Sequence, residues 1–166
     1  MRIGHTTFYS EFGNKEELYR EAAKHYVKEY AGFYFEALNS GEDTRAAFQA
    51  VMEASARAFT REGLPRGCMV SIGGAHLPPG QGSVRENMRD LRSFAEGLLA
   101  ERLRRGVSKG DVPPDTAVEE LAAFFEATLR GMAVKARDGV SVDYLLNIAR
   151  VAMRTWPTAE GDTART

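Results

Sequence analysis

Residues Asn14–Leu38 read NKEELYREAAKHYVKEYAGFYFEAL, and their spacing decides the fold class. Leu18, Ala22, Tyr26, Tyr30 and Tyr34 recur at every fourth position, while Tyr19, Ala23, Val27 and Phe33 widen the stripe. That period belongs to one face of a helix and not to a strand. Asn14 and Glu17 form a capping box, in which the Asn side chain accepts from a free first-turn N–H and Glu17 reaches back to the cap. Glu16 and Glu17 also place negative charge at the positive helix end. The helix is expected to run to about Leu38, where Asn39, Ser40 and Gly41 stop it.

The same period recurs downstream. Asp43 can cap a helix with Ala47, Phe48, Val51, Met52, Ser55 and Phe59 on one face, ending near Gly63 and Pro65. From Cys68 to Ala75 there is room for one or two helical turns, weakened by Gly73 and Gly74 and broken by the Pro/Gly-rich residues 77–82. Ser83 with Glu86 reads as a second capping box, opening a long helix through Val84, Met88, Leu91, Ala95, Leu98 and Leu103 that closes near Gly106. Thr116 with Glu119 reads as a third, opening a helix with Val118, Leu121, Ala122, Phe125, Leu129, Met132 and Ala136. After Gly139, Ser141 caps a last helix carrying Leu145, Leu146, Ala149, Ala152, Met153 and Trp156. The fold class is all-α.

Composition narrows what such a bundle can do. At 166 residues the chain can bury a core without staples. Twenty-two Lys and Arg against 23 Asp and Glu leave a net charge of −1, which excludes binding nucleic acid by bulk charge alone. With 43% hydrophobic residues it is not a disordered composition. One cysteine, Cys68, allows no internal disulfide, and neither a secretory signal nor a membrane-length apolar run is visible, so the expected location is cytoplasmic.

The last two helices carry more apolar surface than one core face needs. Besides the stripes above, Phe124, Ala127, Gly131 and Val134 mark another side of the first, and Ile148 and Val151 extend the second. Helices apolar on most of their circumference are either fully buried or face a partner. The expectation is a two-fold homodimer in which each subunit donates this pair to a four-helix interface, with a wide core stripe in a monomer as the alternative.

The most specific motif lies at the start. Thr7-Phe8-Tyr9, then Phe12, a glycine turn at Gly13, and Lys15-Glu16-Glu17-Leu18 follow Ile3-Gly4-His5-Thr6. This resembles the end of the helix-turn-helix domain of TetR-family transcriptional regulators, where an aromatic-rich recognition helix precedes a "KEEL" start of the next helix. Arg66-Gly67-Cys68 is similar to an "RGC" segment in one branch of the family's regulatory domains. The resemblance implies a remnant of a helix-turn-helix domain over residues 1–38, lacking its first helices. It further implies a helical-bundle ligand-binding and dimerisation domain over 43–156, and a tail over 157–166. It places His5, Thr6 and Thr7 on the groove-facing side and makes Tyr9 and Lys15 phosphate contacts, Lys15 beside a positive helix N-terminus. Read without the family, Thr6 and Thr7 are hydroxyl caps and Tyr9 a packing residue.

Catalysis and metal binding find little support. His5, His25 and His76 are far apart with no ligand pattern, and no phosphate loop or cofactor motif is present, so the expectation is a non-enzyme without cofactor or metal. Cys68, near Arg66 at a helix start, is a candidate redox or electrophile sensor, against the plainer reading of a small buried hydrophobe. A small-molecule pocket is better supported, since bundles hold ligands between helices. Its candidate lining is Tyr26, Tyr30, Phe48, Met52, Ser55, Phe59, Met88, Phe125 and Thr128, with Ser55 and Thr128 as polar handles. The resemblance implies an unknown inducer there, and a regulator that represses by binding operator DNA as a dimer. The alternative is a helical ligand-binding or dimerisation module without DNA binding.

Overall fold

The computed structural model describes residues 13–40, 43–74 and 82–158, and every regular element among them is helical. In chain order these are α1 (Lys15–Tyr30), α2 (Gly32–Asn39), α3 (Thr44–Phe59), α4 (Met69–Ile72), α5 (Gly82–Lys109), α6 (Val118–Arg137) and α7 (Val142–Ala152). A 3-10 turn, Met153–Thr155, closes the series.

Three of the expected N-caps form. Asn14 accepts from the backbone N–H groups of Glu16 and Glu17, both at 2.9 Å, and the Glu17 carboxylate folds back over Gly13. Asp43 accepts from Ala46 N at 2.7 Å, and Ser141 from Tyr144 N at 3.2 Å. Each cap satisfies donors that the first turn leaves free.

Other boundaries differ from the sequence reading. The helix expected to continue to Leu38 breaks at Ala31 (φ −99°, ψ 0°), where Ala31 N–H donates to Val27 and Tyr34 N–H to Ala31. Gly32 is a weak helix former, and α2 restarts there. Ser83 does not cap α5; it sits inside the first turn, with its hydroxyl hydrogen-bonded to Glu16 of α1. Thr116 does not cap α6, which starts two residues later from Ala117, and its buried hydroxyl has no partner among the described residues. Gly106 does not end α5, which runs on to Lys109.

The core is shared by α3, α5, α6 and α7. Phe48, Phe125 and Trp156 meet at its centre, with ring centroids 5.0 Å (Phe48–Phe125), 5.1 Å (Phe48–Trp156) and 6.1 Å (Phe125–Trp156) apart. Beside it runs a buried polar link. The Asp111 carboxylate accepts from Thr44 N at 2.9 Å and from Thr44 Oγ1 at 3.0 Å, and the buried Arg102 donates to Thr44 Oγ1 at 2.9 Å. This ties the start of α3 to the end of α5, and Gly106 gives it room. By contrast α1 lies on α2, α4 and α5 with a single buried residue, Ala23.

Candidate functional site

The described residues leave space under α1. An outer cavity of about 580 Å³ opens between α1, the end of α3, the 60–68 loop and α4. Tyr19, Tyr26 and Tyr30 form its α1 side, and Arg61, Arg66 and Arg137 bring positive charge to it. Beside it, an inner cavity of about 170 Å³ reaches between α2, α3, α5 and α6, lined chiefly by apolar groups including Tyr34, Phe59, Leu91, Leu98 and Leu129. Tyr26, Phe33 and Cys68 belong to the walls of both.

Why these side chains converge follows from the local structure. Tyr26 and Tyr30, one turn apart on α1, stack at 5.7 Å. Gly67 (φ +92°) turns the chain into α4 and lies against the Ala133 carbonyl, where a Cβ would approach to 2.8 Å. Only glycine takes that conformation at that distance. The turn places Cys68, half-buried, close to Tyr26 in the wall that the two cavities share. Burial, and then the neighbouring Cys68, push the Tyr26 phenol above the ordinary tyrosine range, with Arg61 opposing more weakly. Burial does the same to Tyr34, whose hydroxyl donates to the Ala95 carbonyl at 3.1 Å.

Of the nine residues expected to line a pocket, four do. Tyr26 and Tyr30 line the outer cavity, and Tyr26, Ser55 and Phe59 the inner one. Phe48, Met52, Met88 and Phe125 are corrected to core: each is almost wholly buried, and neither cavity includes it in its wall. Thr128 is likewise outside both walls, and its hydroxyl donates to Phe124 O of its own helix at 2.8 Å. The sequence reading missed Phe33, Tyr34, Leu98 and the wall charges Arg92 and Glu126. The aromatic run 33–35 was the available signal.

Arg66 does not face Cys68 as a counter-ion; it donates to the Val140 carbonyl at 2.8 Å and pins the 60–68 loop to the α6–α7 turn. His5, Thr6, Thr7 and Tyr9 lie outside the described residues, and Lys15 is exposed in the first turn of α1. His25 is exposed, and His76 lies outside the described residues. Among the described residues, no helix is long and apolar enough to cross a membrane.

A second feature is the outer face of α6 and α7. Phe124, Val134 and Val151 keep 41%, 46% and 57% of their surface exposed, Ala127 and Gly131 are exposed between them, and Gly131 has open space where a Cβ would be. Ile148 is half-buried and packs against the core edge, so it contributes less to this face than its period implied.

Residues 45–145, which supply much of the cavity walls and most of this face, match the family model "Tetracyclin repressor-like, C-terminal domain". The chain belongs to the TetR family. It is 30% identical over 152 residues to the HTH-type transcriptional repressor ComR of Escherichia coli (strain K12), covering 91% of this chain and 72% of that protein. Among solved structures it resembles the TetR family transcriptional regulator CifR, solved as a cysteine mutant complexed with 26bp double-strand operator DNA. The identity there is 34% and the TM-score 0.89, over 93% of this chain and 81% of that one. A putative TetR regulator from Rhodococcus sp. RHA1 is 25% identical with a TM-score of 0.62, over 95% of this chain and 84% of that one. The TetR chain is thus a transcriptional regulator of all-α fold, and the family evidence points away from an enzyme.

Proposed function

We propose that this regulator represses transcription as an operator-bound homodimer and is released when a small effector enters the cavity beneath α1. The carrying observation is that α1 serves two places at once. Its inner side is a wall of the cavity, and its first turn, with Lys15, continues from the Thr7–Phe12 motif. Under this reading residues 1–38 belong to the DNA-binding part, with His5, Thr6 and Thr7 facing the groove and Tyr9 and Lys15 on phosphates. Residues 43–156 form the effector-binding and dimerisation body, and 157–166 a tail. The outer face of α6 and α7, with Phe124, Ala127, Gly131, Val134 and Val151 and the flanking Ile148, joins the two copies. Cys68, on the shared wall, is placed where oxidation or alkylation of its thiol would change the cavity.

An effector releases DNA only if it binds one position of α1 more tightly than the other. The family relatives support operator binding, since the CifR mutants were solved on operator DNA. The test is an electrophoretic shift of this chain on DNA from its own promoter across a salt series. Retardation that weakens with salt is expected, and Lys15→Ala is expected to reduce the salt slope by about one. No retardation at low salt would refute operator binding by this chain.

A further inference from the structure

The inner cavity carries its own chemical instructions. Ser55 lies in its wall in the C-terminal half of α3, 1% exposed, and its hydroxyl has no hydrogen-bond partner among the described residues. Helical hydroxyls ordinarily donate to a carbonyl one turn back. Thr60, Ser108 and Thr128 do so here, to Ala56 O, Arg104 O and Phe124 O, at 2.8 Å, 3.0 Å and 2.8 Å. Ser55 does not, although a buried hydroxyl left unpaired is costly to the fold. It therefore has both a donor and an acceptor to offer a guest.

The charged groups in the same wall are already committed. Glu126 is gripped by Arg130, whose Nη2 reaches both carboxylate oxygens at 2.7 Å. Arg92 donates to the carbonyls of Val70 and Gly73, both at 3.0 Å. Tyr34 is engaged with Ala95 O, and Ser71 is only half-buried. Arg92 keeps its charge, since carbonyls do not neutralise a guanidinium, but its Nη1 is turned to Val70 O and Gly73 O and most of the wall is apolar. An anion would give up its water for one already engaged partner and a cation for none, whereas a neutral guest gives up little. Size sets the last limit: about 170 Å³ is close to the roughly 150 Å³ that accommodates a benzene-sized molecule.

From these observations we infer that the inner cavity binds a small, uncharged, mainly apolar molecule, about one ring in size, carrying a single hydrogen-bonding group that pairs with Ser55. The inference rests on the reading of the space beneath α1 as the effector site, whose outer and inner cavities share Tyr26, Phe33 and Cys68, and adds the chemistry of what enters the inner one.

Three probes of one shape test it by NMR titration of the full chain: benzyl alcohol, toluene and benzoate. Benzyl alcohol is expected to bind about fivefold more tightly than toluene, as one relieved hydrogen-bonding group implies. Benzoate is expected to bind at least about tenfold more weakly than benzyl alcohol. In Ser55→Ala the alcohol and toluene become equal, toluene affinity is unchanged, and the melting temperature does not fall, because an unpaired hydroxyl has been removed. Equal binding of alcohol and toluene in the wild type, a preference that survives Ser55→Ala, or benzoate binding as tightly as the alcohol overturns the inference while leaving the cavity as a ligand site. Binding of none of the three overturns both.

Discussion

Replacing Val151 by glutamate tests the dimer face with little risk to the protomer. More than half of the valine is exposed on α7, and its helix is held through Leu145, Ala149 and Ala152 on the other side. The substitution should leave one subunit folded. In the dimer the same position would be covered. Full burial of a valine is worth about 1.5–3 kcal/mol, so covering the 57% still open recovers about 1 kcal/mol on each side. A carboxylate there also loses part of its hydration with no partner; about 2 kcal/mol is a modest figure for a side chain that can turn towards the rim. A two-fold interface carries the change twice, giving about 6 kcal/mol, or roughly a 10⁴-fold rise in the dimer Kd. Sedimentation velocity over a concentration series reads that shift directly. Circular dichroism at the same concentrations checks that helix content is kept. A wild-type protein that sediments as a monomer, or a V151E variant that dimerises as tightly as the parent, would refute the assignment of this face.

Glycines in α5 separate packing from propensity. Gly97→Ala, into open space, should stabilise by up to about 1 kcal/mol. Gly106→Ala would press its Cβ on Thr44 Oγ1, to 2.6 Å from Val112 Cγ2 and to 2.7 Å from Asp111 Oδ1. It should destabilise by about 2–4 kcal/mol in urea melts despite the better helix propensity, with wild-type stability as the contrary result. Stability should also fall as pH rises above about 10, where unfolded tyrosines ionise while Tyr26 and Tyr34 stay protonated because burial raises both. In the folded chain these groups hold protons that the unfolded chain has lost, so the sign is destabilising. Tyr34→Phe should flatten the decline, and an unchanged slope would count against it. Phe125→Ala should cost about 3–5 kcal/mol by leaving Phe48 and Trp156 facing a void, again read from urea melts.

Much of this architecture is written in period and capping residues. Asn14, Asp43 and Ser141 cap where their side chains say they should, and Phe124, Val134 and Val151 stand out because a helix with two apolar sides needs two neighbours. The failures share a physical origin: one residue type answers to more than one demand. Gly106 has the look of a terminator, yet its role is to let Thr44 and Asp111 approach α5, a demand invisible until distant elements meet. Thr116 matches the spacing of a capping box, but Pro113, Pro114 and the turn that follows delay the helix to Val118. Phe48 and Met52 share the inward stripe of α3 with Ser55 and Phe59, and hydrophobic period alone cannot tell a packed interior from the wall of a hole. Arg92 could not be placed in the wall from sequence because its partners, Val70 O and Gly73 O, come from α4 and the residue that follows it.

The contrast between α1 and α3 bears on how a small guest could matter to the whole protein. Both have 16 residues; α3 buries eight of them, while α1 buries only Ala23. Among the described residues, α1 rests on α2, α4 and α5, with Glu16 hydrogen-bonded to Ser83, beside space that its own tyrosines border. Elements held by few buried contacts shift at low free-energy cost. A helix that borders a cavity is exposed to what fills it, so a guest that adds apolar contact to α1 can bias its position. In this chain the lever is therefore the under-packing of α1, and filling it by mutation should imitate the effector. Ala58→Phe, at the edge of the outer cavity beneath Tyr26 and Tyr30, is expected to weaken operator retardation several-fold without an added ligand. Full operator affinity in a variant whose cavity is filled would break the link between α1 support and DNA binding.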